Sequence, residues 1–257
     1  MLPVTFESTI AAFRTLGLKE GDTIELHGSL RAIGLVSGGP NTIIDALLKV
    51  LSHEGTLLMA AQYSTNSEPA LWEHPPVDIE AFETIRATHP PYKGRESYLR
   101  WMGSFAQVLQ LKDQTLFSDH PSMAAMALGK QAKWLTMDQP LTPAFGLGSP
   151  FEKALQLKSK ALLIGVGYDV LTGLHVAEAL SKKRPYHLES ATILTNNQPK
   201  RIKFLDYEYE SDIFSAIGSE YEKTHTVPSI PLGNAVIKLI DMPSLHEFAL
   251  AYFKEHL

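Results

Sequence analysis

The chain has 257 residues, 44% of them hydrophobic, which is enough to bury one large core or two small ones without covalent cross-links. It carries 23 basic and 28 acidic side chains, a formal charge of -5 and no basic block, so it lacks the charge pattern of a nucleic-acid-binding protein. It contains no cysteine, which excludes disulfides, thiolate metal ligands and a cysteine nucleophile.

The sequence shows no sign of a membrane segment or a secretion signal. No stretch approaches the roughly 20 apolar residues of a membrane-spanning helix. The first residues, Met1–Phe13, lack the charged stretch followed by an apolar stretch that marks a signal peptide. We therefore expect a cytoplasmic protein that contacts no membrane.

The first sixty residues predict a strand–helix–strand unit. An amphipathic helix over Ser8–Leu16 ends at Gly17 and is followed by a strand over Thr23–Leu26. A loop of small residues then leads into a helix over Thr42–Leu51 and a second apolar strand over Thr56–Ala60. Such a unit predicts parallel strands with a right-handed crossover.

The middle of the chain contains a long segment of unusual composition, residues 62–93, rich in Pro, His, Trp and Tyr. It is too long for a simple connection, so we interpret it as an insertion that walls a substrate site, with a helical part near Ile79–Ala87. Beyond it, the pattern predicts a helix over Met102–Leu111, an apolar run over Met123–Leu128 and a helix over Phe151–Leu157.

The last third of the chain predicts a hairpin and a closing helix. A buried strand over Ala161–Val166 comes first. Two antiparallel strands, Ala191–Thr195 and Pro199–Phe204, are then joined by a turn at Asn196-Asn197. The remaining elements are a helix over Ile213–Thr224, a strand over Ala235–Leu239 and a helix over Pro243–Glu255. The sequence has no repeat or linker, so we expect one domain over residues 1–257.

Four polar side chains follow the Ala161–Val166 strand at a constant spacing of three: Asp169, Thr172, His175 and Glu178. If one helix carries them, they share a side of it and His175 contacts Glu178. An imidazole oriented by a carboxylate beyond a buried strand is suited to be a general base. The spacing is equally compatible with a surface helix capped by Asp169 or Thr172, in which His175 has no role.

Seven segments resemble the aminoglycoside N3-acetyltransferase family, in the family's order and over roughly two hundred residues. The family typically reads VHSSL, a Gly-Gly turn, an IDAL-type helix and EGT, and later a DSNT-like turn followed by LHLAE. The corresponding segments here are LHGSLRAIGLVSGGPNTIIDALLKVLSHEGTLLM, EPALWEHPPV, Met102-Gly103, SDHPS, FGLGSP, GVGYDVLTGLHVAE and GNAVIKL.

The resemblance implies an α/β/α sandwich with a mixed central sheet, unlike the GNAT acetyltransferases, and transfer of an acetyl group from acetyl-CoA to the 3-amino group of an aminoglycoside. It implies neither a metal nor a covalent intermediate. His175 then acts as the general base and Glu178 orients it. Thr172 and backbone amides of the turn stabilise the oxyanion, and Asp169 either steers the substrate ammonium or holds the turn.

The resemblance also implies a coenzyme site built from loops. Its residues are His27, Ser29, Leu30, Gly34, Gly38, Gly39, Asp119, His120, Pro121, Phe145 and Ser149. From the residues alone, the glycine-rich stretch is equally a tight turn between strand and helix, His-Pro is a loop marker, and His27 is a half-buried structural histidine.

The acceptor is less defined than the reaction. We expect acidic side chains, Glu68 and Asp206 in particular, to bind a cationic amine, although such residues are more often solvated. The sequence departs from the family pattern at Gly28, where a serine is usual. The alternatives are a different acceptor amine, a hydrolase using Ser29 or Thr172, and a non-catalytic CoA-binding or drug-sequestering relative. We expect a monomer or a homodimer.

Overall fold

A seven-stranded mixed sheet forms the centre of the computed structural model, which describes residues 2–73 and 75–257. The strands of the protein are β1 (Thr23–Gly28), β2 (Thr56–Ala60), β3 (Leu116–Phe117), β4 (Ala125–Gly129), β5 (Lys160–Ile164), β6 (Tyr186–Thr195), β7 (Gln198–Tyr207), β8 (Ser229–Leu232) and β9 (Ala235–Asp241). The sheet order is β3-β4-β2-β1-β5-β9-β8, and β6 pairs with β7 outside it. Strand β1 runs parallel to β2 and β5, and the other pairs are antiparallel.

Helices cover both faces of the sheet. They are α1 (Phe6–Leu16), α2 (Leu30–Ile33), α3 (Gly39–Leu51), α4 (Phe82–Thr88), α5 (Gly103–Leu111), α6 (Ala132–Thr136), α7 (Pro150–Gln156), α8 (Leu174–Ser181), α9 (Phe214–Thr224) and α10 (Met242–His256). Leu162 and Ile164 of β5 pack with α1, α3 and α5, whereas Ala161 and Leu163 pack with α8, α9 and α10. This alternation follows from the two-residue period of a strand and confirms the predicted α/β/α sandwich.

Several predicted elements are confirmed at or near their bounds. Strand β2 spans the predicted Thr56–Ala60, and β1 and β2 are parallel with α3 between them. The turn of the β6–β7 hairpin lies at Asn196 and Asn197, whose φ angles of 51° and 59° suit the tight turn of a two-residue hairpin. The sequence prediction missed β3 and β8, because β3 has two residues and β8 contains a proline that only an edge strand accepts.

The predicted helix carrying Asp169, Thr172, His175 and Glu178 was wrong at its beginning. Asp169 lies in a 3-10 turn, Tyr168–Val170, and the helix α8 begins only at Leu174. Neither Asp169 nor Thr172 caps α8, because Gly173 occupies the cap position and donates its amide to Glu25 instead. The chain between the turn and the helix is extended at Leu171, which interrupts the regular spacing.

Residues 62–93, the predicted insertion, contain a short 3-10 helix followed by α4, close to the predicted helical part. Asn66 fixes this segment to the hairpin, because its side-chain amide donates to the Thr192 carbonyl at 2.9 Å and its side-chain oxygen accepts from the Thr192 amide at 2.8 Å. The buried Asn66 amide also donates to the Pro121 carbonyl at 3.1 Å. The segment is thereby anchored to two other parts of the chain.

The helix α9 packs closely against the Tyr168 turn, so a substitution in this contact tests the packing around the candidate site. Gly218 is buried in α9, and a Cβ atom there would overlap the Tyr168 ring. That ring is held by a hydrogen bond of 2.9 Å from its hydroxyl to Glu222. We expect Gly218→Ala to lower the free energy of unfolding by about 1 to 2 kcal/mol, because overpacking outweighs the roughly 1 kcal/mol gain in helix propensity.

Urea unfolding followed by circular dichroism measures this change. The control is Ser219→Ala, on the exposed side of the same helix. A Gly218→Ala variant as stable as the wild type would show that the packing around Tyr168 is looser than described.

Candidate functional site

A cavity of about 370 Å³ lies where β1, β2 and β5 end. His27 and Gly28 contribute from the end of β1, Ala60 from the end of β2, and Val166 from just beyond β5. Crevices outside the carboxyl ends of parallel strands are the usual ligand sites of open α/β sheets. Asp169, Thr172 and His175 line the same cavity, so the structure brings together three of the four residues that the spacing had singled out.

The fourth residue, Glu178, contacts His175 from the buried side of the ring. One turn of α8 separates them, and the Glu178 Oε2 atom lies 2.6 Å from His175 Nδ1. The Glu178 side chain is fully buried, and its second oxygen accepts from Arg184 Nε at 2.6 Å and from the Glu210 amide at 3.1 Å. A proton on Nδ1 therefore points to the carboxylate, which leaves Nε2 of the neutral ring as a proton acceptor.

Aromatic side chains fix the plane of the His175 ring. Phe145 stacks on it with ring centroids 5.0 Å apart and an interplanar angle of 26°, while Phe214 and Tyr209 contact it at 4.7 and 5.3 Å. Phe145, predicted to contact the coenzyme, is itself buried. Its observed contact is with the imidazole, which it helps to hold in one orientation.

A second histidine–carboxylate pair lies at the same cavity. Residues i and i+2 of a strand share a face, and His27 Nε2 lies 2.7 Å from Oε1 of Glu25 in β1. Glu25 is 1% exposed, and the same oxygen accepts from the Gly173 amide at 2.8 Å. Glu25 therefore joins the end of β1 to the beginning of α8.

Thr172 is one available donor among the predicted oxyanion groups. The amides of Gly173, Leu174 and His175 donate to Glu25, to the Leu171 carbonyl and to the Thr172 carbonyl respectively. Thr172 lines the cavity, and its hydroxyl forms no hydrogen bond with the residues that the structure describes. It can therefore donate to a bound ligand.

The predicted coenzyme loop begins at the cavity and then leaves it. Ser29 caps α2, because its hydroxyl accepts from the Ala32 amide at 3.3 Å, and its own amide donates to the Ile164 carbonyl at 2.9 Å. Of the residues predicted in this loop, only His27 lines the cavity; those that do not are Ser29, Leu30, Gly34, Gly38 and Gly39. Gly38 and Gly39, with φ angles of 83° and 62°, start α3.

Gly28, where the family pattern has a serine, is closely surrounded. A Cβ atom at this position would lie 2.8 Å from Phe105 Cε2 and 2.9 Å from Ile164 Cβ. The neighbouring side chains therefore leave no room for the Cβ atom of a serine at this position unless they move.

Asp119, His120 and Pro121 line a different cavity, of about 420 Å³, beside the β6–β7 hairpin. His120 Nδ1 accepts from the amides of Ser122 and Met123, and Nε2 lies 3.1 Å from the Leu141 carbonyl. Burial lowers the pKa of His120 to about 4, so the ring is neutral and holds its loop together.

Ser149 likewise has a structural position, at the N-cap of α7. Its side chain is buried, and its hydroxyl accepts from the Glu152 amide at 3.3 Å. This bond satisfies one of the amides that a helix leaves unpaired in its first turn.

The two predicted acceptor-binding acids do not line the His175 cavity. Glu68 is bound by Arg86 and by the Ser190 hydroxyl. Burial opposes ionisation of Glu68, but the hydrogen bonds from Arg86 and Ser190 outweigh it, so the pKa of Glu68 lies below its usual value. Asp206 accepts from the amides of Ala144 and Tyr207 and from the Tyr209 hydroxyl.

Two residues that line the cavity, Arg100 and Trp101, and the buried Glu25 behind His27 were missed by the sequence prediction or given no role. Arg100 and Trp101 stand at the cavity, with the guanidinium carbon 4.2 Å from the Trp101 ring centroid and a left-handed φ of 77° at Trp101. Their only signal in the sequence is that they directly precede the family-like pair Met102-Gly103. Glu25 had a stronger signal, because a carboxylate inside an apolar strand requires a partner.

Two further properties concern metals and membranes. Residues 2–73 and 75–257 contain no group of three or more His, Asp and Glu side chains placed to hold a metal ion. None of the helices in those ranges has the length and apolar character needed to cross a bilayer.

Comparison with known proteins gives consistent matches. The sequence pattern of the family described as aminoglycoside 3-N-acetyltransferase matches residues 26–254. The aminoglycoside N(3')-acetyltransferase-like protein YokD, derived from the SPbeta prophage of Bacillus subtilis (strain 168), is 29% identical over 252 residues, covering 98% of this chain and 93% of that protein. Aminoglycoside N(3)-acetyltransferase III of Pseudomonas aeruginosa is 28% identical over 265 residues, covering 98% and 94%.

Solved structures match over the whole chain. The YokD crystal structure superimposes with a TM-score of 0.96 and covers 100% of this chain and 95% of that one. The structure of AAC-IIIb in a binary complex with CoASH superimposes with a TM-score of 0.88 at 26% identity. The match covers 100% of this chain and 98% of that one.

The buried Asp206 carboxyl predicts a pH dependence of stability that can be measured. Burial raises its pKa from 3.8 to about 6, so the folded protein holds a proton that the unfolded chain has already released. Stability should therefore fall as pH rises from about 4 to about 6, by up to about 3 kcal/mol, and Asp206→Asn should remove this dependence.

The measurement is the free energy of unfolding in urea between pH 4 and 7, taken as wild type minus variant. Asp113→Asn, at an exposed position, is the control. A difference that stays constant over this range would show that the hydrogen bonds to Asp206 compensate its burial.

Proposed function

Because this chain belongs to the aminoglycoside 3-N-acetyltransferase family, we propose that it transfers the acetyl group of acetyl-CoA directly to an amine, with His175 as general base. The observation that carries the proposal is the His175–Glu178 pair, 2.6 Å apart, with the ring at a cavity and the carboxylate buried behind it. General-base catalysis requires this combination of access and orientation.

The chemistry follows from the state of the amine. An alkylamine with a pKa near that of lysine is almost fully protonated at neutral pH, and only the neutral amine attacks a thioester. His175 Nε2 accepts the proton, and Glu178 stabilises the imidazolium that forms. The carbonyl oxygen of the thioester gains negative charge in the tetrahedral intermediate, and the free Thr172 hydroxyl is the proposed donor to it.

Acetyl-CoA as the donor is supported by the similarity to AAC-IIIb, whose structure contains CoASH. We propose that the pantetheine arm enters past His27 and Ser29, which begin the predicted coenzyme loop beside the cavity. The Ser29 hydroxyl caps α2, which argues against Ser29 as the nucleophile of the hydrolase alternative. His120 and Ser149 then contribute by holding loops, and neither lines the His175 cavity.

One observation favours a second candidate, transfer to an amine less cationic than an aminoglycoside. Glu68 is paired with Arg86, and Asp206 is held by backbone amides, so neither acid faces the His175 cavity. The cavity itself carries one carboxylate, Asp169, and one guanidinium, Arg100, among the described residues. A polycation would meet both charges there.

The base assignment predicts a loss of turnover rather than of binding. His175→Gln should lower kcat by roughly 10² to 10⁴ while leaving acetyl-CoA affinity unchanged, because the glutamine cannot take a proton. Glu178→Gln should lower kcat less, because Nε2 can still accept a proton when the ring is less well oriented. Thiol release gives kcat and calorimetry gives the affinity.

Two results would remove His175 from this role. One is a His175→Gln variant with near-normal kcat at saturating substrates. The other is a larger loss for Glu178→Gln than for His175→Gln when circular dichroism shows both variants folded.

The acceptor is tested by charge. If an aminoglycoside is the acceptor, Asp169→Asn should raise its KM, and its KM should also rise with salt, because exposed charges are screened over about 10 Å at 0.1 M. A monoamine should show little of either effect. Faster turnover of the monoamine, with KM values insensitive to Asp169→Asn, would favour the second candidate.

A further inference from the structure

His27, which is paired with the buried Glu25 carboxylate, lines the same cavity as His175 and is not used by the base mechanism. On the basis of the proposed acetyl transfer, we propose that His27 is the general acid that protonates the departing CoA thiolate. The two histidines then divide the proton transfers of one reaction between them.

The geometry leaves one nitrogen of His27 available. Nε2 is engaged with Glu25 at 2.7 Å, and the His27 ring forms no other hydrogen bond with residues 2–73 or 75–257. Its side chain is 11% exposed and lines the cavity. Nδ1 is therefore the ring nitrogen that a ligand can reach. The buried Glu25 carboxylate stabilises the protonated form of the ring.

The reaction requires two proton transfers, one from the amine and one to the departing thiolate, and the two histidines at the cavity can each carry out one of them. When the amine nitrogen bonds to the thioester carbon, its N–H proton passes to His175 Nε2. When the C–S bond of the tetrahedral intermediate then breaks, the electron pair leaves with sulfur, and the Nδ1 proton of His27 passes to the thiolate. The products are the amide and the CoA thiol, after which His175 releases a proton to water and His27 takes one up.

The charges around His27 come from several elements. Glu25, on its own strand, favours the protonated ring, as does Asp169 from the turn beyond β5. Arg100, which precedes α5, and protonated His175 of α8 oppose it. Glu25 is in direct contact with His27, so it has the largest effect of these groups.

His27 is not required to hold β1 against α8. That link is made by the Glu25 carboxylate, which accepts the Gly173 amide directly. Removing the imidazole therefore leaves the connection intact, and a loss of activity reports on the ring itself. His27→Gln is the variant of choice, because its amide can still donate to Glu25 but cannot deliver a proton.

The experiment compares four proteins with acetyl-CoA and an amine that the wild type acetylates. His27→Gln should lower kcat by about 10², leave the calorimetric affinity for acetyl-CoA within about threefold, and lose the fall in kcat on the alkaline side of the pH profile. Glu25→Gln should move that alkaline fall to lower pH, because the ring loses its stabilising charge. His53→Gln, which removes an exposed His–Glu pair, should leave kcat and the profile unchanged.

The outcomes separate the two proposals. A wild type that releases no thiol with any amine overturns the proposed function itself. With an active wild type, the role of His27 is overturned if His27→Gln keeps its kcat, if it keeps the alkaline fall, or if it loses acetyl-CoA affinity with kcat unchanged, which assigns it to binding. If His27→Gln does not fold, the direction of the shift in Glu25→Gln decides.

Discussion

The buried carboxylate of Glu25 is the constraint on which the arrangement of the site depends. A charge inside an apolar strand is costly unless hydrogen bonds compensate it, and Glu25 receives them from His27 and from the Gly173 amide. The second bond fixes where the chain from β5 turns back to start α8, so it determines the position of His175 relative to the end of β1. The same carboxylate therefore orients one histidine directly and places the other.

Glu178 is also a buried carboxylate, but its charge is compensated by different partners. Its charge is balanced by Arg184, which also binds Glu210 at 2.7 Å, and the Glu210 amide donates to the same carboxylate. The chain that follows β7 is thereby drawn toward α8, and it brings Tyr209 onto the His175 ring. His175 is held by a network from two segments distant in sequence, which gives it one orientation without needing a ligand.

The sequence predicted correctly those features that depend on neighbouring residues. Strand β2, the Asn196-Asn197 turn and the His175–Glu178 contact depend on residues within a few positions of one another. The beginning of α8 was mispredicted because it depends on Glu25, 148 residues away. The partners of Glu68 and Asp206 were beyond prediction for the same reason, since a carboxylate that binds a ligand and one that binds Arg86 look alike in a sequence.

Glu68, which the sequence assigned to acceptor binding, instead holds two parts of the chain together. Glu68 joins Arg86 of α4 to Ser190 of β6, so it fixes the segment 62–93 against the hairpin. Because the Glu68 charge is paired with Arg86 and Glu68 does not line the cavity, Glu68 adds little negative potential there. The charges left at the cavity are Asp169 on one side and Arg100, stacked on Trp101, on another. Under the proposed acetyl transfer, acceptor choice would depend on how an amine fits between these opposite charges, a property that neither the family motifs nor the net charge of -5 reveals.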